Sequence, residues 1–296
     1  MDKPAAAKAP FTALPDHALL ALEGRDAIAF AQAQFMSDVA ALADGHWQWS
    51  GWLSPKGRVQ ALFALLRMGP ESLWLVLPDG GAEALKAALE RFVFRSKLKL
   101  QVPEGRSLCG ILGAPATASG AASATDAKGR IELDFSSEGW PRTLRICSGC
   151  NNPVDEAVQA RWRACDLAHG LPRADAATLG AFTPQQLSLE RLKAYSVRKG
   201  CYTGQEIVAR THFLGQAKRG LALFGCGAAP APGTQVMEGE RAVGTVASST
   251  PSPDGPGGHP ALALAVLPLE RPDDAPALQA DGATLAPLPL LDGLAR

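Results

Sequence analysis

From Arg219 onward the chain never sustains a helical pattern. Short apolar runs at Leu221–Phe224, Thr234–Met237, Ala242–Ala247, Ala261–Leu267 and Ala283–Leu288 alternate with turns such as Pro251-Ser-Pro-Asp-Gly-Pro-Gly-Gly258. Runs of this length, bounded by Gly and Pro, read as strands. A set of short strands without a covering helix satisfies its edges most simply by closing on itself. A small antiparallel barrel is therefore expected over 219–296.

The sequence before Arg219 has a different grain. At 296 residues, and about 100–200 residues per domain, the chain has room for two or three domains. Apolar residues three or four apart (Ile28, Ala31, Phe35, Val39, Leu42) predict a helix from Gly24 to Gly45. Strand signals follow: the Trp47/Trp49 alternation, a Ser54-Pro-Lys-Gly57 turn, Val59–Leu66 and Leu73–Leu77. A second helix is expected over Ala82–Phe94, with Leu85, Leu89, Phe92 and Val93 on one side, and a strand over Leu98–Val102. This first third reads as one helix-backed sheet. The Ala/Ser/Gly/Thr-rich stretch Gly113–Gly129 is expected as a surface loop or weak helix. Strands resume at Arg130–Phe135 and Thr143–Ile146, and Asn152-Pro153 opens a helix to about Ala168. The expected domains are 1–104, 105–218 and 219–296. There is no internal repeat.

Composition narrows the function. Basic and acidic residues number 29 each, so no strong positive field exists for a tight, sequence-independent grip on nucleic acid. Any RNA role would be indirect or local. No run of 18 or more apolar residues suggests a membrane span, and Met1–Pro10 lacks the apolar core of a secretion signal. The six cysteines follow no framework pattern, which fits a reduced, cytoplasmic compartment.

The segment Arg198-Lys-Gly-Cys-Tyr-Thr-Gly-Gln-Glu-Ile-Val-Ala-Arg210 carries the chemistry. Thr203 and Glu206 have capping-box spacing, which puts a helix start just after Cys201. Gly200 and Gly204 allow a tight turn. A cysteine before a helix amino terminus and two residues after Lys199 is in a setting that favours the thiolate, the nucleophilic and metal-binding form. The residues by themselves suit a structural turn with a buried, inert cysteine somewhat better.

Lys199-Gly-Cys-Tyr-Thr-Gly-Gln-Glu206 matches, at all eight positions, the signature of the YgfZ family, folate-binding relatives of the glycine-cleavage T-protein that support iron–sulfur enzymes. Resemblance extends to Gly24-Arg-Asp26, Pro55-Lys-Gly-Arg58, Arg95-Ser-Lys97, Gly170-Leu-Pro172, Phe182-Thr-Pro-Gln185 and Lys218-Arg219, and thins over Gly105–Trp140 and the last 50 residues. It implies a T-protein-like α+β fold of two mixed α+β domains plus a C-terminal antiparallel barrel. It also implies a cavity for tetrahydrofolate or a derivative, a functional Cys201 facing that cavity and assisted by Lys199, and iron–sulfur client enzymes as partners, among them one that methylthiolates tRNA. Gln205 and Glu206 would cap the helix and reach toward ligand, with Tyr202 beside them. A folate-dependent aminomethyl or methyl transferase is the alternative. Against it, the acidic pair of T-proteins falls at Val59-Gln60-Ala61, and a pterin-contacting Glu falls at Ala168.

Weaker signals remain. Trp52, set opposite Trp47 and Trp49 on its strand, suits a pterin wall, and Lys56 and Arg58 suit a folate tail. Sheet packing and a solvated turn explain them equally well, and the same holds for Arg95 and Lys97. Cys147-Ser-Gly-Cys150 stands alone, without the second ligand pair that structural zinc needs, and reads as two ordinary core or turn cysteines ahead of a redox pair or metal site. The histidines show no metal spacing. His17, His46 and His259 read as surface or loop residues, while His169 and His212 are candidates to approach the pocket.

Overall fold

A computed structural model describes residues 10–215, 217–252, 256–272 and 276–296. The expected readings of Met1–Pro10 and of the centre of the Pro251–Gly258 turn thus fall largely outside the described residues. Three antiparallel sheets and four α-helices make up the described chain.

The chain enters at β1 (Thr12–Ala13), followed by β2 (Ala18–Glu23), α1 (Ala27–Gln34), β3 (Trp47–Leu53), β4 (Val59–Gly69), β5 (Ser72–Leu77), α2 (Ala82–Glu90) and β6 (Lys99–Gln101). The first sheet has the order β3-β4-β5-β2-β6. One face, with Leu20, Leu22, Phe63, Leu65 and Leu75, is covered by α1 and α2. The opposite face, with Trp47, Trp49, Leu62 and Leu66, packs into the central core. The strict alternation along β3 thus serves two cores at once.

The second sheet has the order β1-β7-β10-β9-β8, using β7 (Arg106–Ile111), β8 (Ala124–Thr125), β9 (Ile131–Asp134) and β10 (Thr143–Ser148). Its helix α3 (Glu156–Ala168) buries Trp162, Cys165, Asp166 and Leu167. After a long irregular stretch comes α4 (Gln205–Phe213). The closed barrel runs β11-β14-β13-β12-β15-β16, formed by β11 (Arg219–Cys226), β12 (Gln235–Glu238), β13 (Arg241–Pro251), β14 (Ala261–Pro268), β15 (Leu278–Ala280) and β16 (Ala283–Leu288). The barrel has six strands, one more than expected. Its extra strand, β15, is only three residues long and too brief to read as an apolar run.

Several boundaries differ from expectation for identifiable reasons. Helix α1 stops at Gln34 because Phe35 turns extended and bridges Trp52, while Ser37 and Ser50 join hydroxyls at 2.7 Å. Tertiary pairing overrides the helical period there. Helix α2 ends at Glu90, which leaves Phe92 44% exposed rather than on the buried side. Helix α3 begins at Glu156, where Asp155 Oδ1 accepts the Val158 N–H at 3.1 Å, so Asp155 and not Asn152-Pro153 opens it. The 113–129 stretch does more than cover surface. Its Ala121 carbonyl accepts the Trp47 backbone N–H, and its Gly120 carbonyl accepts Trp47 Nε1.

The three sheets share one core. Trp47 stacks on Phe135 at 4.7 Å between centroids, Trp49 meets Phe135 edge-on at 5.5 Å, and Phe135 approaches Trp162 at 6.0 Å. Trp49 Nε1 donates to the Leu294 carbonyl at 2.8 Å, tying the end of the chain into the same centre. A buried ion cluster borders it. Arg142 donates to Asp166 at 2.6 Å, and Arg173 pairs with Asp166, Asp16 and Asp79.

Candidate functional site

The loop before α4 lies with its back against the first sheet's domain. Ser196 N–H donates to the Met36 carbonyl at 2.8 Å, and Lys199 Nζ donates to the Phe35 and Ser37 carbonyls at 2.6 and 2.8 Å. The same ammonium lies 4.9 Å from the centre of the Tyr202 ring. Thr203 Oγ1 donates weakly to Gln34 Oε1 at 3.4 Å. All three anchor points sit at the abrupt end of α1. That end leaves carbonyls free because Phe35 leaves the helix.

A second seam runs along the Ser54–Gly57 turn. Gly204 has φ +80°, and a Cβ there would lie 2.5 Å from the Ser54 carbonyl oxygen. Gly57, at φ +67°, faces Ile207 so closely that its Cβ would fall 2.7 Å from the Ile207 Cβ. Glycine at both positions lets turn and loop touch backbone to backbone.

Between these two seams Cys201 is exposed. Lys199, by contrast, is buried at 6% exposure, and its amine is pushed down to about 8 by burial, which the charge of Asp38 only partly offsets. Its ammonium is committed to the Phe35 and Ser37 carbonyls and the Tyr202 ring. Tyr202 is buried too, its hydroxyl has no hydrogen-bond partner among the described residues, and burial pushes the phenol up to about 12. Gln205 Nε2 reaches the Lys199 carbonyl at 3.4 Å, a long contact. The expected Thr203–Glu206 capping box does not form. The helix starts after left-handed Gly204, without a side-chain cap, and Glu206 is exposed. The tight approach to Ser54 selects glycine at the cap, and Thr203 turns to Gln34 instead.

A cleft of about 240 Å³ opens beside this loop's support. Trp52, Gln60, Leu62, Asp79, Gly81 and Leu179 are among its walls. The Trp52 Nε1–H is buried there without an acceptor among the described residues, an unused donor in a mostly apolar wall. Asp79 is held by Arg173 and by the Ala174 N–H, so the cleft's acidic group is already paired. Gln60 also limits the neighbouring turn, since a Cβ on Gly180 would lie 2.7 Å from its Nε2.

Among the expected ligand-binding residues, this cleft gathers Trp52 alone. Lys56 is exposed on its turn. Arg58 is not a solvated turn residue; its guanidinium donates to the Ala181 carbonyl at 2.7 Å and to Gln186 Oε1 at 3.1 Å. Cys201, Lys199, Tyr202, Gln205 and Glu206 stand outside its lining. Asp79 and Arg173 were missed by sequence reasoning. Pro78-Asp-Gly-Gly81 was a readable turn signal for the first; nothing local marks the second.

Trp47 and Trp49 are core residues. His17 is buried rather than on the surface, 3.3 Å from Asp16 Oδ1 and edge-on to Trp162. His169 is buried at the end of α3, between Ser137 Oγ at 2.6 Å and the Cys165 carbonyl at 2.7 Å, and is not part of the cleft lining. His212 borders a different hollow with Tyr195 and Arg219. Cys147 and Cys150 are disulfide-bonded, in place of two ordinary cysteines. Among the described residues no group of three His, Cys, Asp or Glu is arranged to hold a metal ion, and no helix is long and apolar enough to cross a membrane.

No protein-family model matches the chain. It is 29% identical over 278 residues to the tRNA-modifying protein YgfZ of Escherichia coli O157:H7, a match covering 85% of each chain. It is also 29% identical over 219 residues to an uncharacterised protein of Haemophilus influenzae, covering 72% of each. In three dimensions it resembles the glycine cleavage system aminomethyltransferase T of Bartonella henselae, with a TM-score of 0.66 and 16% identity over 97% of this chain and 88% of that one. The chain is thus similar in sequence to the tRNA-modifying protein YgfZ, and it has the fold of aminomethyltransferase T.

Proposed function

We propose that this protein binds a reduced folate, tetrahydrofolate or a derivative, and acts as an accessory factor in the maturation or repair of iron–sulfur enzymes, supporting tRNA modification through them. Its working thiol is Cys201, and its place is the cytoplasm. The reading rests on one observation. Phe35 bridges Trp52 through its backbone and accepts Lys199 Nζ at 2.6 Å, so the cleft wall and the cysteine loop hang on the same residue. A ligand that shifts Trp52 is thereby coupled to the presentation of Cys201.

The cleft fits part of a folate. Its volume lies just below the roughly 300–1,000 Å³ typical of pockets for whole drug-sized ligands. It therefore suits the flat ring system, with the tail running out over the surface. The ring would lie against Trp52, with the unpaired Trp52 Nε1–H and the Gln60 amide as polar partners. The tRNA-modifying relative supports the link to tRNA. Cys201 supplies a single thiolate, whereas an iron–sulfur cluster usually takes four ligands. The thiol therefore acts on a client or a small molecule rather than storing a cluster alone. The amide of Gln60 and the buried methyl of Ala168 speak against aminomethyl transfer, since neither can serve as a carboxylate.

Titration of the purified protein with tetrahydrofolate, followed by tryptophan fluorescence, tests the ligand. Trp52→Ala should weaken binding roughly tenfold, the scale of an aromatic pair. No saturable binding to the unmodified protein would overturn the folate assignment. Folded Cys201→Ser, introduced into cells lacking the protein, should fail to restore iron–sulfur enzyme activity, and full restoration would remove the thiol's role. Turnover of an amine donor with folate would favour the transferase instead.

A further inference from the structure

Three sulfur atoms lie in a row on one face of the second sheet, away from Cys201. Cys147 is on β10, directly opposite Ser107 of β7, and Cys109 lies two residues further along β7 on the same face. The Cys109 and Cys147 sulfurs are 4.0 Å apart. Cys147 is bonded to Cys150, which follows the strand in an exposed turn through left-handed Gly149. Cys109 and Cys147 are buried, while Cys150 is partly exposed, so the row runs from interior to surface. Ser107 Oγ is 3.5 Å from the Cys147 sulfur and donates to the Cys150 carbonyl at 3.1 Å, which holds the turn over the pair.

We infer that Cys147–Cys150 is a thiol–disulfide exchange site whose substrates are dithiols and disulfides reaching it at Cys150. A thiolate of an incoming dithiol attacks the Cys150 sulfur. The Cys147–Cys150 bond breaks, and Cys147 leaves as a thiolate that takes up a proton. The dithiol's second thiolate then attacks the sulfur joined to Cys150, forming the oxidised dithiol and releasing Cys150. Two electrons and two protons pass from the dithiol to the protein, and an external disulfide reverses the sequence. Attack from outside is confined to Cys150 because the other sulfur is buried, and exchange requires access to the sulfur attacked.

Cys109 could in principle compete, since its attack on Cys147 would form a Cys109–Cys147 bond and release Cys150. Burial pushes its thiol up to about 11, against the smaller opposing effect of Arg145. It therefore stays protonated near neutrality, and attack needs the thiolate. The bond remains at the surface end of the row. Opening it leaves the 148–154 turn in place, because the Gly149 N–H still donates to the Gly105 carbonyl at 3.2 Å and the Pro153 carbonyl still accepts the Ala13 N–H at 2.9 Å.

Differential alkylation with mass spectrometry, on the full chain equilibrated in glutathione buffers of graded potential, tests the site. The expected result is a linked Cys147–Cys150 peptide in oxidising buffer, with Cys201 labelled throughout. The pair should open to two labelled cysteines with a two-electron dependence, tenfold in the oxidised-to-reduced ratio per about 30 mV. Reduced thioredoxin should open it in the folded protein, and Cys109→Ser should leave the transition in place. Labelling of Cys147 and Cys150 in every buffer would overturn the inference. So would a bond that no dithiol opens without denaturant, or a dominant Cys109–Cys147 peptide at neutral pH.

Discussion

Lys199 Nζ donates to the carbonyl of Phe35 at 2.6 Å, across 164 positions of sequence, where α1 breaks off. A second bond, to Ser37, completes the anchor, and a neutral amine keeps two N–H donors for both, though the ammonium makes them stronger. The loop carrying Cys201 is held by the residue two before it, from beneath.

Substituting Lys199→Met should remove both bonds and leave two carbonyls short of a donor, at a cost of about 1.5–3 kcal/mol, the range for bonds to charged groups. The pH dependence should also change. The amine's folded value is about 8 against 10.5 unfolded, so between these values the unfolded chain binds more protons and stability rises with pH. The urea midpoint of the unmodified protein, relative to Lys199→Met, should therefore climb on going from pH 7.5 to pH 10. A flat difference would mean the amine is not desolvated.

Two glycines of the loop should respond differently to alanine. At Gly204 the backbone is left-handed and the new Cβ meets the Ser54 carbonyl, so a loss of about 1–3 kcal/mol is expected. At Gly200 nothing lies within 4 Å of the added Cβ, and the change should be close to neutral. Thermal unfolding of the two variants side by side checks this; equal shifts would contradict the packing against Ser54.

Asp166→Ala should be among the most destabilising single changes. It leaves the guanidinium of Arg142, fully buried, on the Trp162 carbonyl and ring with the like charge of Arg173 nearby. Removing one partner of a buried pair typically costs about 3–5 kcal/mol. Among the described residues Arg142 already holds two guanidinium nitrogens without partners. Urea denaturation measures the loss.

Asp16 should contribute to stability only above the acid range. Burial alone would raise its carboxyl, but the His17 hydrogen bond, the Arg163 bond and the Arg173 charge hold it well below the usual 3.8. A depressed folded value means the contribution is present above the unfolded value and fades as pH falls through the folded one. The stability gap between the unmodified protein and Asp16→Asn should thus narrow from about pH 6 to about pH 3. A gap independent of pH would show that the carboxylate's charge is not what counts.

Much of the fold was legible because local periodicity and global packing agreed. The alternation along Trp47–Leu53 correctly put Trp47 and Trp49 on one side, and the Gly/Pro-punctuated tail closed as a barrel. Legibility ended where a distant partner overrode the local pattern. Phe35 broke a good helical run by pairing with Trp52, and Arg58 spent its guanidinium on the 181–186 segment. His17, which reads as a loop residue, became buried because Trp162, far along the chain, packs edge-on against it while its neighbour Asp16 meets its ring nitrogen.

The sequence by itself determined the element types, the barrel and the likeness to YgfZ, since these depend on spacing between near neighbours and on an eight-residue motif. Only the tertiary structure decided that Cys201 is exposed, that Lys199 is buried beneath it, and that Cys147 is joined to Cys150. Burial and pairing are properties of surfaces brought together from far apart in the chain, and desolvation, which sets the chemistry of a lysine or a thiol, does not exist until those surfaces meet.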